Sequence, residues 1–315
     1  MQPYLFSYDD MCLIPKHSVL KSRAAADTTT EFLGLKCQLP VIPANMADVI
    51  SLERAYDMAQ EGYLYIMHRF GNALQEAIES TLGTTMLSIS VGVNDRDKKI
   101  IEDSAVTPKL ITIDVAHGDH ENVKDMLNFL HRTFNESWSN RPKFIAGNVA
   151  TADGFKFLAD NGADAVKVGI GGGSICTTRY KTGFHVPTAY SVWECRQEER
   201  YQSVPIIADG GLKHFGDVAK ALVLGADMVM SGRWFAECID SPARIEYGKK
   251  IYRGSTSYEV KGHNNHIEGK TLEIERACTY KERFLEIKQA LQSSISYAGG
   301  SDLSAFNFVK WKLLH

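Results

Sequence analysis

Ala165-Val166-Lys167-Val168-Gly169-Ile170-Gly171-Gly172-Gly173-Ser174-Ile175-Cys176-Thr177-Thr178 runs from an apolar strand pattern straight into a glycine loop that carries one cysteine. Three successive glycines permit positive φ and expose backbone N–H groups, so such a loop wraps closely around an anion of phosphate size. Cys176, with the Thr178 hydroxyl two residues on, places a thiol beside that anion and is the candidate covalent nucleophile. A flexible linker and an inert core cysteine are the plain alternatives for the same residues.

Outward from this stretch, β-rich runs alternate with helical patterns, as in repeated β-α units around a parallel sheet. Eight runs qualify: 40–46, 63–68, 86–93, 109–115, 143–148, 165–170, 204–209 and 228–231. Amphipathic segments separate them, among them Ser51 to Gln60, Asn122 to Phe134, Thr151 to Asn161, Ala189 to Tyr201 and Phe215 to Leu224. Eight strands with crossovers predict an α/β fold of the closed (β/α)8 TIM-barrel type, with a doubly wound open sheet as the alternative. Asn161-Gly162-Ala163-Asp164 before one strand is echoed by Leu224-Gly225-Ala226-Asp227 before another, and each strand ends in glycine, Gly169 and Gly232. In a barrel those ends share one mouth, so Gly171, Gly173, Ser174, Gly210, Gly211, Gly232 and Arg233 are read together as an anion cradle. Asp209, at a strand end, suits a pair of ligand hydroxyls because an ionised carboxylate only accepts.

Composition narrows the partners. The chain has 315 residues, 44% hydrophobic and 23% charged, and a net charge of −3, which gives no electrostatic case for nucleic acid or an anionic membrane surface. No apolar run approaches the roughly 18 residues of a membrane span. Six dispersed cysteines without metal-type spacing read as reduced thiols in a cytoplasmic protein, and no metal-ligand constellation stands out. A small-molecule ligand is the expectation.

Gly169 to Thr178, Ile207-Ala208-Asp209-Gly210-Gly211, Asp217-Val218-Ala219-Lys220-Ala221 and Gly225-Ala226-Asp227 together resemble the IMP dehydrogenase and GMP reductase family. The resemblance extends from Tyr8-Asp9-Asp10-Met11-Cys12-Leu13-Ile14-Pro15 to Ser293 through Gly300. It implies one TIM-barrel catalytic domain over 1–315, with a mobile flap at about 245–275 after the eighth strand and no CBS insert, for which the spacing leaves no room. It also implies a cysteine adduct at carbon 2 of a purine nucleotide, formed by Cys176. The reductase branch is favoured because no Arg-Tyr pair lies between Gly254 and Lys270, and because Ile267-Glu268-Gly269-Lys270 resembles the segment whose glutamate works with the threonine after the cysteine.

On this resemblance Cys176, Thr178 and Glu268 are the catalytic set, and the reaction is NADPH-dependent release of ammonia from GMP to give IMP. Ser255 and Thr256 are expected at the purine, Asp209 at the ribose, and Asp114, Arg69, Asn148 and Gly169 on the cofactor side. Asn45 is a further strand-end candidate for hydrogen bonds to ligand. A homotetramer is likewise implied, with Ser293 to Gly300 near a monovalent-cation site or a subunit boundary. Several positions depart from the family pattern: Gly172 replaces a proline, Arg233 a small residue, His185 a glycine, Thr188 a glutamine, Tyr258 a glutamate and Arg69 a lysine. These departures leave open a related purine nucleotide or deoxynucleotide as substrate, beside NAD-dependent IMP oxidation and a non-catalytic nucleotide sensor.

Overall fold

A computed structural model describes residues 4–80, 86–135, 141–261 and 267–314. Residues 262–266 of the segment expected as a flap therefore lie outside the described residues. The centre is a parallel seven-stranded sheet of β1 (Val41–Pro43), β2 (Ser88–Val91), β3 (Leu110–Asp114), β4 (Lys143–Val149), β5 (Ala165–Val168), β6 (Ile206–Asp209) and β7 (Met228–Ser231), in the order β1-β7-β6-β5-β4-β3-β2. All seven coincide with runs expected from the sequence. The eighth run, 63–68, lies parallel to β2 only through Met67, whose N–H donates to Ser88 O and whose carbonyl accepts from Ser90 N, both at 2.9 Å. Its other side meets β1's approach through a single bond, from Gln38 N to Gly62 O, so no continuous ladder forms there.

Helices Leu52–Glu61, Ala73–Glu79, Asp95–Glu102, Glu121–Thr133, Ala152–Asp160, Thr188–Arg196 and Gly216–Val223 connect the strands. Their starts follow the usual capping chemistry: the Ser51, Asn94 and Thr151 side chains accept from the N–H three residues on, satisfying donors with no intrahelical partner. The segment expected as one helix from Ala189 to Tyr201 ends at Arg196 and resumes as a short turn, Glu199–Tyr201. Arg196 closes the helix by donating to the Gly225 and Gln202 carbonyls and to Asp227.

Strand alternation divides the core in two. Ile42, Leu64, Ile66, Leu110, Ile145, Ala165, Ile207, Met228 and Met230 form one cluster on the inner face of the curled sheet. Val41, Ile89, Ile111, Phe144, Val166, Ala208 and Val229 pack on the other face beneath the helices. Lys167 alternates with Val166 and Val168 and so belongs to the inner face, a position where lysine is rare unless paired.

After β7 the chain makes an excursion: β8 (Ile245–Glu246), β9 (Lys249–Arg253) and β10 (Thr271–Ile274) form an antiparallel sheet, with a short helix at Tyr258–Lys261. Arg253 anchors it by pairing with buried Asp48. Residues 268–270 then lie along the cysteine loop. Thr177 N donates to Glu268 O at 2.7 Å, Lys270 N donates to Ile175 O at 3.0 Å, and Cys176 is bridged to Gly269. The long helix Tyr280–Ala298 completes the chain's outer layer. No helix among the described residues is long and apolar enough to cross a membrane.

Candidate active site

The C-terminal strand ends converge on three adjoining cavities. The central one, about 260 Å³, is bounded by Arg69, Asp114, Asn148, Gly169, Cys176, Asp209, Ser255 and Thr256. On one side lies a chamber of about 760 Å³ bordered by Ser174, Gly211, Lys213, Arg233 and Lys270. On the other lies a mostly apolar pocket of about 500 Å³ whose walls include Ala116, Val149, Ala150, Ile170, Phe184 and Val186. Gly171, Gly173, Gly210 and Gly232 lie on the wall shared by the centre and the chamber, as does Cys176. Thr178 and Glu268 lie on the wall shared by the centre and the apolar pocket.

These walls are connected by hydrogen bonds. The Cys176 thiol donates to Thr178 Oγ1 at 3.2 Å, and the Thr178 hydroxyl donates to Glu268 Oε2 at 2.6 Å. The three side chains thus form one hydrogen-bonded chain along which a proton can pass between Cys176 and Glu268. Other thiols are less suited to attack: burial pushes Cys37 up to about 11 and Cys238 up to about 12, and raises Cys195 as well. Cys176 is partly exposed to the cavity.

Glycines are required where backbones meet closely. Gly169 has φ +147°, and a Cβ there would sit 2.2 Å from the Asp209 carbonyl oxygen. Gly172 is explained by Thr188: a Cβ on Gly172 would fall 2.6 Å from Thr188 Oγ1, so the two departures noted in the sequence fit each other.

A buried ionic group underlies the central cavity. Lys167 Nζ donates to Asp114 Oδ1 at 2.7 Å and to Asn45 Oδ1 at 3.3 Å, and forms an ion pair with Asp209 Oδ2 at 3.2 Å. Burial opposes the charge on Asp114, but the Lys167 ammonium outweighs it and, with Arg69, holds that carboxyl below its ordinary range. Burial likewise opposes the Lys167 charge, and the carboxylates of Asp114 and Asp209 more than compensate, so its pKa rises. Asn148 Nδ2 donates to Asp209 Oδ2 and to Gly169 O, each at 2.8 Å.

The structure thus brings the expected catalytic, substrate-side and cofactor-side residues to the strand-end mouth. Asp114, Arg69, Asn148 and Gly169, expected on the cofactor side, line the central cavity, beside Cys176. Arg69 directs its Nε to the Asp114 carbonyl at 3.2 Å. Arg233 borders the chamber, half-exposed, with its guanidinium on Glu237 at 2.8 Å. Ser293 to Gly300 forms the end of the last helix and its glycine cap, and borders none of the three cavities. Lys167, His185 and Tyr252 were not assigned from sequence. His185 borders the apolar pocket with Nδ1 3.0 Å from Ile170 O, and buried Tyr252 borders both other cavities. A lysine between two valines of a core strand was the available signal for the first. No cluster of metal-ligating side chains occurs among the described residues.

Fold and site describe an α/β protein whose strand ends enclose a thiol, a hydroxyl and a carboxylate between a glycine-rich loop and an apolar pocket. The family model described as "IMP dehydrogenase / GMP reductase domain" matches residues 5–310. The chain is 40% identical over 319 aligned positions to a GMP reductase of Oenococcus oeni, spanning 98% of this chain and 97% of that one. It is 39% identical to a GMP reductase of Bacillus subtilis and 40% identical to one of Shouchella clausii, spanning 98% and 99% of this chain and 96% of each relative. The chain belongs to the IMP dehydrogenase / GMP reductase family.

Proposed function

We propose that this protein is an oxidoreductase that converts GMP to IMP and ammonia with NADPH. The observation that carries the reading is the Cys176–Thr178–Glu268 chain, set between the central cavity and the apolar pocket. The full-length similarity to proteins named GMP reductase supports it independently.

In this reading the 5′-phosphate meets the N–H groups around Gly171, Gly173, Ser174, Gly210, Gly211 and Gly232, and Arg233 leaves Glu237 to join it. The ribose hydroxyls bond Asp209, while the purine lies over Cys176 near Ser255 and Thr256. The Cys176 thiolate bonds to carbon 2. The exocyclic amine, protonated from Glu268 through Thr178, leaves as ammonia, because an amide-like anion is too poor a leaving group. Apolar walls beside Thr178 and Glu268 fit a nicotinamide ring and exclude water that would otherwise hydrolyse the adduct. NADPH held against these walls would supply the hydride for carbon 2; breaking of the C–S bond then returns the Cys176 thiolate.

The same reading takes the curled sheet as a closed eight-stranded barrel in which the run 63–68 supplies the remaining strand. Support comes from Leu64 and Ile66 sharing the inner cluster with Ile42 on β1. It further takes 1–315 as one cytoplasmic catalytic domain with the 245–275 excursion as its flap, no CBS insert, a homotetrameric assembly and a monovalent-cation requirement.

The test is nicotinamide absorbance with each pair of substrates. Loss of NADPH with GMP, accompanied by equimolar ammonia and IMP, is expected. No oxidation with GMP, or reduction of NAD with IMP, would overturn the assignment.

A further inference from the structure

Lys167 is built into the molecule at some expense. It is 2% exposed, on the inner face of β5, and a Cβ on the neighbouring Gly147 would come within 2.5 Å of its own Cβ, so β4 carries glycine at the register that admits it. Its ammonium donates to Asp114 and Asn45 and is ion-paired with Asp209, so two carboxylates and an amide oxygen surround the charge. A buried lysine with this degree of satisfaction is fixed in place, and it fixes what it touches.

The consequence falls on Asp209. Its Oδ2 accepts from Asn148 at 2.8 Å and is ion-paired with Lys167 at 3.2 Å, which engages that oxygen from two sides. Its Oδ1 has no donor among the described residues and keeps both lone pairs for a ligand. A carboxylate free on both oxygens could take two hydroxyls in several ways; one pinned by Oδ2 presents a single oxygen in one orientation.

We infer that Lys167 is a positioning residue that sets ribose specificity: with Asn148 it locks Asp209 so that Oδ1 alone receives the vicinal hydroxyls of the nucleotide. By holding Asp114 with the same ammonium, it also fixes the distance between the ribose acceptor and the opposite carboxylate of the cavity. The inference rests on the reading of Asp209 as the ribose acceptor.

Equilibrium binding of GMP and of 2′-deoxy-GMP, without cofactor, tests it. The wild-type protein should bind GMP about tenfold or more tightly than the deoxynucleotide, the scale of a hydrogen bond to a charged acceptor. Lys167→Met with Asp114→Asn, which removes the charge pair as a unit, should weaken GMP about tenfold and bring the two nucleotides within about threefold of each other. Lys167→Arg should retain part of the preference. Asn148→Ala, which leaves the buried charges intact and serves if the double variant does not fold, should reduce the preference without abolishing it. A wild type that does not discriminate, or a folded double variant or Asn148→Ala with an unchanged ratio, would overturn the inference. If the wild type and the variants bind as expected but the wild type does not turn over GMP with NADPH, the reaction assignment fails and the role of Lys167 stands.

Discussion

The Thr178 hydroxyl donates to Glu268 at 2.6 Å although ninety positions separate the two residues. The contact exists because residues 268–270 pair with the backbone of the cysteine loop, which brings the excursion's return strand against the nucleophile.

Glu268→Gln keeps this geometry and removes the exchangeable acid. It should lower kcat by about 10²–10⁴, the usual worth of a positioned proton donor, with the KM for GMP within about threefold of wild type. Thr178→Val should act in the same direction. Steady-state kinetics decide it, and a change confined to KM would contradict the relay.

Gly169→Ala tests the loop's tightness. Its new Cβ would meet the Asp209 carbonyl at 2.2 Å, in a backbone conformation that alanine resists. Chemical denaturation should show a loss of about 2 kcal/mol or more, and GMP binding should weaken as Asp209 shifts.

Gly172 and Thr188 should be energetically coupled. Gly172→Ala places a methyl 2.6 Å from Thr188 Oγ1 and should raise the KM for the nucleotide severalfold. Adding Thr188→Ala clears the space and should recover most of the loss, giving a coupling of about 1 kcal/mol in a double-mutant cycle. Additive effects would refute the contact.

Much of this arrangement was readable in the chain. Runs such as 165–168 and 228–231 announce strands because short apolar stretches end at glycine, and Cys176 with Thr178 announces chemistry because the two are local. Glu268 needed a family resemblance, since nothing in its own neighbourhood reveals a partner ninety residues away. The fit of Gly172 against Thr188 and the meeting of Asp114 and Asn148 at the central cavity arise where loops from different strands come together. Local periodicity carries no record of such meetings. Lys167 was passed over for the opposite reason: it sits inside a strand pattern strong enough to absorb it.

His68 provides a pH signature. Burial pushes its imidazole down to about 4, against the opposing pull of Asp48, and its Nδ1 accepts from Phe70 N at 3.2 Å. An unfolded histidine binds a proton at about 6.5, so the contribution is complete above that pH and declines as the pH falls toward 4. The loss reaches up to about 3 kcal/mol. Urea midpoints between pH 7 and pH 4 should fall less steeply in His68→Asn than in wild type, and parallel curves would contradict the buried neutral form.

The central claim is that Cys176 forms the bond to carbon 2. Cys176→Ala should bind GMP within about threefold of wild type, since the glycine loop and Asp209 are untouched, yet release no ammonia and oxidise no NADPH above background. Measurable ammonia release from GMP at a tenth of the wild-type rate in that variant would contradict the covalent mechanism.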